Sequence, residues 1–253
     1  MIKKIIILLL SVVFSVQPIF AFASAETNSS VYRVNELGQT YGKVAVATNA
    51  TKDPDLIYAL ATNEKYGYIK NEDLMNCGPI SPNDTEWENR IFGDMDYCTI
   101  SVYEQDGTTV IGEFRIERPV ANSELFIRAT YDPRAGYIQG PQGYIGIIDG
   151  VEYLYQNLKK TPTPYRTDAR TIVEHTTTGT VPGNTYGAQA RILDVTGAVV
   201  ECSGWTMNSR TSTPGYVYAD ATHISTSTLN FYSYGLAKEW NGEDYWVHGG
   251  LSV

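Results

Sequence analysis

Hydrophobic and polar positions alternate in short registers along most of the chain, which predicts strands rather than helices. Apolar side chains cluster at 44–48, 56–61 and 66–69, and the polar triplet Asn63, Glu64, Lys65 separates the last two as a turn would. Positions 99–104 alternate polar and apolar, Gln105, Asp106 and Gly107 supply turn chemistry, and 108–116 returns as a second strand. One helix interrupts this pattern. Ser81 is placed to cap it, Pro82 suits its first position, Asp84, Glu86 and Glu88 put negative charge at its N-terminal end, and Gly93 stops it. Further on, 187–194 and 198–205 flank Val195, Thr196 and Gly197 as a hairpin, and 216–222, 229–234 and 244–248 read as three more strands. The fold class expected is an α+β N-terminal part followed by a mainly-β C-terminal part, sandwich or barrel-like. The glycine-rich stretch at 136–144 is expected to be a linker or long loop within 135–150.

The opening residues set the compartment. Lys3 and Lys4 precede an apolar run at 5–14, Pro18 follows, and Ala23 and Ala25 form a small-residue cleavage site. That is the pattern of a secretory signal peptide over 1–25, cut after Ala25, so the expectation is a secreted, envelope-associated protein with no membrane contact once the leader is gone.

Charge changes the list of partners. The chain carries a net charge of −9, and loss of Lys3 and Lys4 with the leader makes it more acidic. Nucleic acid is a poor partner for such a surface, because its binding depends on clustered Lys and Arg releasing counterions. The acid is uneven, with 16 acids against 8 bases over 26–118 and 12 against 9 over 119–253. A boundary near Pro119 is the resulting expectation: an acidic α+β module, then a mainly-β domain.

The residues Asn35, Glu36, Leu37, Gly38, Gln39, Thr40, Tyr41 and Gly42, then Asp55, Leu56 and Ile57, Ala61, Thr62 and Asn63, Gly67, Tyr68 and Ile69, Asp73 and Leu74, and the run from Asp106 to Phe114 carry a resemblance. Over about 32–118 the chain resembles an uncharacterised extracellular module of exported and membrane-bound proteins of Gram-positive bacteria. The resemblance implies a surface module more than an enzyme. Lys65, Tyr66, Gly67, Tyr68 and Ile69 also resemble bacterial SH3-like wall-binding domains. The ending Phe231, Tyr232, Ser233, Tyr234, Gly235, Trp240, Asn241, Gly242 and Tyr245 is similar to small secreted Firmicute proteins of unknown role.

Candidate chemistry is sparse. Cys77 and Cys98 enclose the expected helix and are placed to form a disulfide in an exported chain, leaving Cys202 as a buried thiol. His175, His223 and His248 are too far apart to form a local motif, Asp94 with Asp96 and the run at 241–244 read as surface turns, and no motif calls for a metal or cofactor. Aromatic residues gather near the C-terminus. Tyr232 and Tyr234 are expected on one strand face, and Trp240, inside a stretch at 238–243 read as too polar for core, is expected to be the most solvent-facing ring, so Tyr232, Tyr234, Trp240 and Trp246 are the candidate ligand contacts. The function expected is binding of wall carbohydrate or a surface protein without catalysis; a secreted hydrolase and a secreted toxin or bacteriocin-like effector are the alternatives.

Overall fold

A computed structural model describes residues 32–44, 53–119, 132, 134–148, 150–176, 180–208, 211–212, 215–228, 230–249 and 253. The leader at 1–25 lies outside the described residues, as does all but Val44 of the strand expected at 44–48. What is described is mostly β-structure, and among these residues no helix is long and apolar enough to cross a membrane.

The order begins with β1 (Arg33–Val34), β2 (Thr40–Gly42), β3 (Leu56–Leu60) and β4 (Tyr66–Lys70). Two six-residue helices, α1 (Asn71–Asn76) and α2 (Trp87–Phe92), come next, and the hairpin β5 (Tyr97–Tyr103) and β6 (Val110–Glu117) follows. The hairpin turn is closed by Asp106, whose carboxylate accepts the N–H groups of Thr108 and Thr109 while Gly107 takes a φ of 71°. α2 begins later than its sequence signals predict. Asp84 does not extend a first helical turn, because its carboxylate is occupied by the Ile80 N–H and by both terminal nitrogens of Arg90, so the chain reaches helical geometry only at Trp87. Gly93 ends it in the left-handed region, as expected.

The remaining strands are β7 (Ile138–Ile148), β8 (Val151–Thr163), β9 (Arg166–His175), β10 (Thr180–Val181), β11 (Tyr186–Gln189), β12 (Arg191–Leu193), β13 (Val199–Cys202), β14 (Thr206–Met207), β15 (Thr211–Ser212), β16 (Gly215–Ile224), β17 (Tyr232–Ser233), β18 (Leu236–Trp240) and β19 (Tyr245–Gly249). The glycine-rich stretch is therefore strand, not linker. Gly140 and Gly143 serve close cross-strand approach: a Cβ on Gly143 would lie 2.2 Å from the Tyr155 ring. The strand expected at 187–194 divides at Ala190, where the chain leaves one sheet for another, and of the described residues 230–234 only Tyr232 and Ser233 are strand.

Four sheets result among the described residues, with strand orders β17-β12-β13-β3-β4-β5-β6, β16-β9-β8-β7, β14-β11-β18-β19 and β10-β15; β2 also joins β3, and β1 joins β2. Strands from both sides of Pro119 share the first sheet, since β13 runs parallel to β3 and Glu117 bridges Ser203. Its inner face packs Ile57, Ile69, Val102 and Phe114 against Leu74 of α1, Trp87 and Phe92 of α2, and Trp205. A second core joins Val173 of β9, Ala188 of β11 and Val217 of β16 around Tyr153 and Tyr186.

Candidate functional site

The face of the first sheet that looks away from its core is tiled with tyrosine. On β3, Ile57 and Ala59 turn inward, so Tyr58 turns outward; on β4, Gly67 and Ile69 turn inward, so Tyr66, Tyr68 and Lys70 turn outward. Gly67 is needed here, because a Cβ would meet Ile111, Val102 and the Tyr103 carbonyl at 2.6–2.7 Å. The register then sets Tyr58 opposite Tyr68, and Tyr68 opposite Tyr103. Tyr66 stacks on Tyr58 with centroids 5.4 Å apart and planes 13° apart; Tyr58 meets Tyr68 at 5.5 Å, and Tyr68 meets Tyr41 of β2 edge-on at 5.7 Å. Both distances and angles fall in the favourable range for ring pairs.

Cations border this row. Lys70 Nζ lies 4.6 Å from the centre of the Tyr103 ring and Lys43 Nζ 5.7 Å from that of Tyr58. Arg33 acts on Tyr68 through space, lowering a hydroxyl pKa that burial, Tyr41 and Tyr58 together raise. Tyr66 is tied at its tip, where its hydroxyl donates to Asp194 Oδ2 at 2.8 Å, and that bond to a carboxylate pushes its pKa up to about 12. Tyr41, Tyr58 and Tyr68 are partly buried, and Tyr66 retains 44% of its surface. Flat rings held at fixed spacing, with hydroxyls and cations at the rim, suit a ligand that offers flat apolar faces and polar edges.

The C-terminal rings are dispersed. Tyr234 is core, 4% exposed, with its hydroxyl donating to Asp53 and its pKa driven up by burial. Tyr232 is exposed beside Lys159, so the two tyrosines expected on one face part company because β17 ends at Ser233. Trp240 packs edge-on against Tyr245 at 5.1 Å and is partly buried; Trp246, at 54%, is the more exposed tryptophan. Nor is the polar stretch at 238–243 excluded from the interior. Its first residues belong to β18, and Lys238 and Glu239 are 2% and 0% exposed.

Trp246 borders a cleft of about 670 Å³ between α1 and β19, lined also by Asp53, Asn71, Met75, Tyr245 and His248. At its floor Asp53 accepts from the fully buried Arg191 at 2.9 Å. His248 Nε2 is 2.7 Å from Glu239 Oε1, and burial raises the Glu239 pKa. The other histidines lie elsewhere: His175 is buried against Tyr153 and Tyr186, and His223 faces Glu201 at 3.2 Å. Among the described residues no group of three or more His, Cys, Asp or Glu side chains is placed to hold a metal ion. Cys77 and Cys98 approach to 3.8 Å between sulfurs as thiols; their hydrogen bond raises the pKa of Cys77 and lowers that of Cys98, and Cys202 is fully buried, its thiol pushed up to about 12.

Sequence reasoning missed the tyrosine face and the buried Lys238. The signal for the first was present in the period-2 placement of Tyr66 and Tyr68 and in Tyr58 between apolar neighbours. No protein-family model matches the chain, and no curated protein matches it.

Proposed function

We propose that the protein is an exported binding protein of the cell envelope, its first part an α+β surface module and its second a β sandwich, that takes up wall carbohydrate on the tyrosine face. The observation that carries this reading is the unbroken row Tyr66, Tyr58, Tyr68 and Tyr41 on one sheet face, Tyr66 exposed and the other three partly buried. Sugars present flat C–H faces that stack on such rings and hydroxyls that meet their tips. The leader and the acidic composition support the extracellular setting.

The test is retention of the mature chain on purified cell wall, before and after extraction of wall proteins. Tyr58→Ala or Tyr68→Ala should cost about 1–3 kcal/mol of binding, as contact aromatics do, with the wall-protein extraction making no difference. Retention that disappears with the extracted proteins would reassign the face to a protein partner, and retention indifferent to both substitutions would sink the reading. If Trp246→Ala is the variant that loses binding, the contact belongs to the cleft at β19.

His248 and Glu239, 2.7 Å apart beside that cleft, favour a hydrolase as the second reading. A catalytic histidine contributes about 10²–10⁴-fold in rate, so His248→Ala discriminates the two on wall-derived oligosaccharides. Export also gives Cys77 and Cys98 the setting to close a disulfide, each thiol losing its hydrogen to an extracellular disulfide that is reduced in turn. A bridge over that loop would contribute about 3 kcal/mol, and intact mass with alkylation reads it directly.

A further inference from the structure

Arg33, Lys43 and Lys70 gather beside one row of rings in a chain with acid to spare. Six of the eight described arginines hold a carboxylate within 4 Å, namely Arg90, Arg115, Arg134, Arg166, Arg170 and Arg191, and Arg118 donates to the Gly93 carbonyl. Arg33 has no carboxylate within that distance among the described residues; neither does any described lysine, Lys43 and Lys70 included. All three meet the tyrosine row, in register with Tyr41, over Tyr58 and over Tyr103. The acids nearby are otherwise engaged or set back. Asp194 is taken by Tyr66 and by the Thr196 and Ala198 N–H groups, Asp55 by Thr40, and Asp73 of α1 feels Lys70 only through space.

Resting on the carbohydrate reading above, we propose that the tyrosine face is specific for acidic glycans: the rings stack the sugar planes, and Arg33, Lys43 and Lys70 pair with anionic groups at the sugar edges. The geometry requires both parts. Cations lying over ring faces keep their solvent-facing side available to an anion, while the rings fix the height at which a sugar sits. The net charge of −9 opposes an anionic ligand at longer range, so the pairing rests on contact with these three cations.

Three immobilised probes test this: a neutral β-glucan, polygalacturonate for carboxylates, and poly(glycerol phosphate) for phosphodiesters without sugar rings. The expected result is retention on polygalacturonate at least about tenfold stronger than on the β-glucan, falling steeply with salt as surface charge pairs do. The variant carrying Arg33→Gln, Lys43→Gln and Lys70→Gln should lose that preference and keep the weak neutral binding, whereas Tyr58→Ala should lose both. Equal retention on both glycans, or an acidic preference that survives the triple variant, overturns the charge specificity and leaves carbohydrate binding standing. Binding to poly(glycerol phosphate) alone overturns it as well, since the rings would then play no part. Folded parent protein that binds none of the three overturns the carbohydrate reading itself.

Discussion

Two of the places where lysine meets aromatic rings, one on the outer face of the first sheet and one on β18, separate recognition from architecture. On the outer face of the first sheet, Lys70 and Lys43 lie over Tyr103 and Tyr58, the first partly and the second well exposed to solvent. On β18, Lys238 is 2% exposed, with its Nζ 4.4 Å from the ring centres of both Trp205 and Tyr245. Gly78 makes room for it, since a Cβ there would fall 2.7 Å from Nζ. The contacts are chemically alike, yet solvent gives them different consequences. An exposed ammonium keeps its hydration and can exchange a water for a ligand anion; a buried one has exchanged water for rings, and its charge becomes a stability term.

The largest effect that would sharpen this contrast is at Trp205. It is fully buried in the core that joins the inner faces of β3–β6 to α1 and α2. Trp205→Ala should cost about 3–5 kcal/mol in urea unfolding, whereas Tyr58→Ala on the outer face should cost under about 1.5 kcal/mol. Equal losses would mean that the tyrosine row is as structural as the buried box.

Next comes pH. Burial pushes the Lys238 pKa down from 10.5 to about 7, against an opposing pull from Asp84, which Arg90 holds, and from Cys77; Tyr245 faces it with a hydroxyl whose own pKa burial raises. The folded pKa lies below the unfolded one, so between about pH 7 and 10.5 the unfolded chain holds a proton that the folded chain lacks, and stability rises with pH across that window. Below pH 7 both states are protonated and the term is constant. The slope is at most about 1.4 kcal/mol per pH unit, reduced to the extent that the two rings favour the charged form. Unfolding midpoints at pH 6, 7, 8 and 9, compared with Lys238→Met, read it. A parent profile as flat as the variant's would show that Lys238 stays charged in its box.

These two regions also show how far the chain could be read from its residues. Strands with a clean period of two were legible: β3, β4, and the β5–β6 hairpin with Asp106 and Gly107 at its turn all follow from local pattern. What pattern could not show was a tertiary rescue of polar residues. Lys238 and Glu239 read as surface because burying either alone is costly; they are inside because rings from Trp205 and Tyr245 take one and His248 takes the other, partners that lie up to 33 positions away. Glycines misled for a related reason. Gly140 and Gly143 read as loop, yet they mark where Asn157 and Tyr155 of the facing strand come too close for a side chain. At the candidate site, each tyrosine was visible singly, but their common face depends on the register of β3, β4 and β5 and on the parallel pairing of β2 with β3, which no local signal encodes.

The smallest effect tests how the tyrosine row is held. The Tyr66 hydroxyl reaches Asp194, on the loop after β12, at 2.8 Å, and Asp194 is itself fixed by the N–H groups of Thr196 and Ala198. Tyr66→Phe removes the donor and keeps the ring, so stacking on Tyr58 remains; the expected loss is about 0.5–1.5 kcal/mol of stability, toward the lower end because Tyr66 is 44% exposed. Glycan retention should change by less than threefold if the hydroxyl only anchors the ring, a limit set by about 0.6 kcal/mol. A larger loss of retention with stability unchanged would make the hydroxyl a ligand contact, and the comparison between an anchored row and an open one would have to be drawn again from Tyr58 and Tyr68 alone.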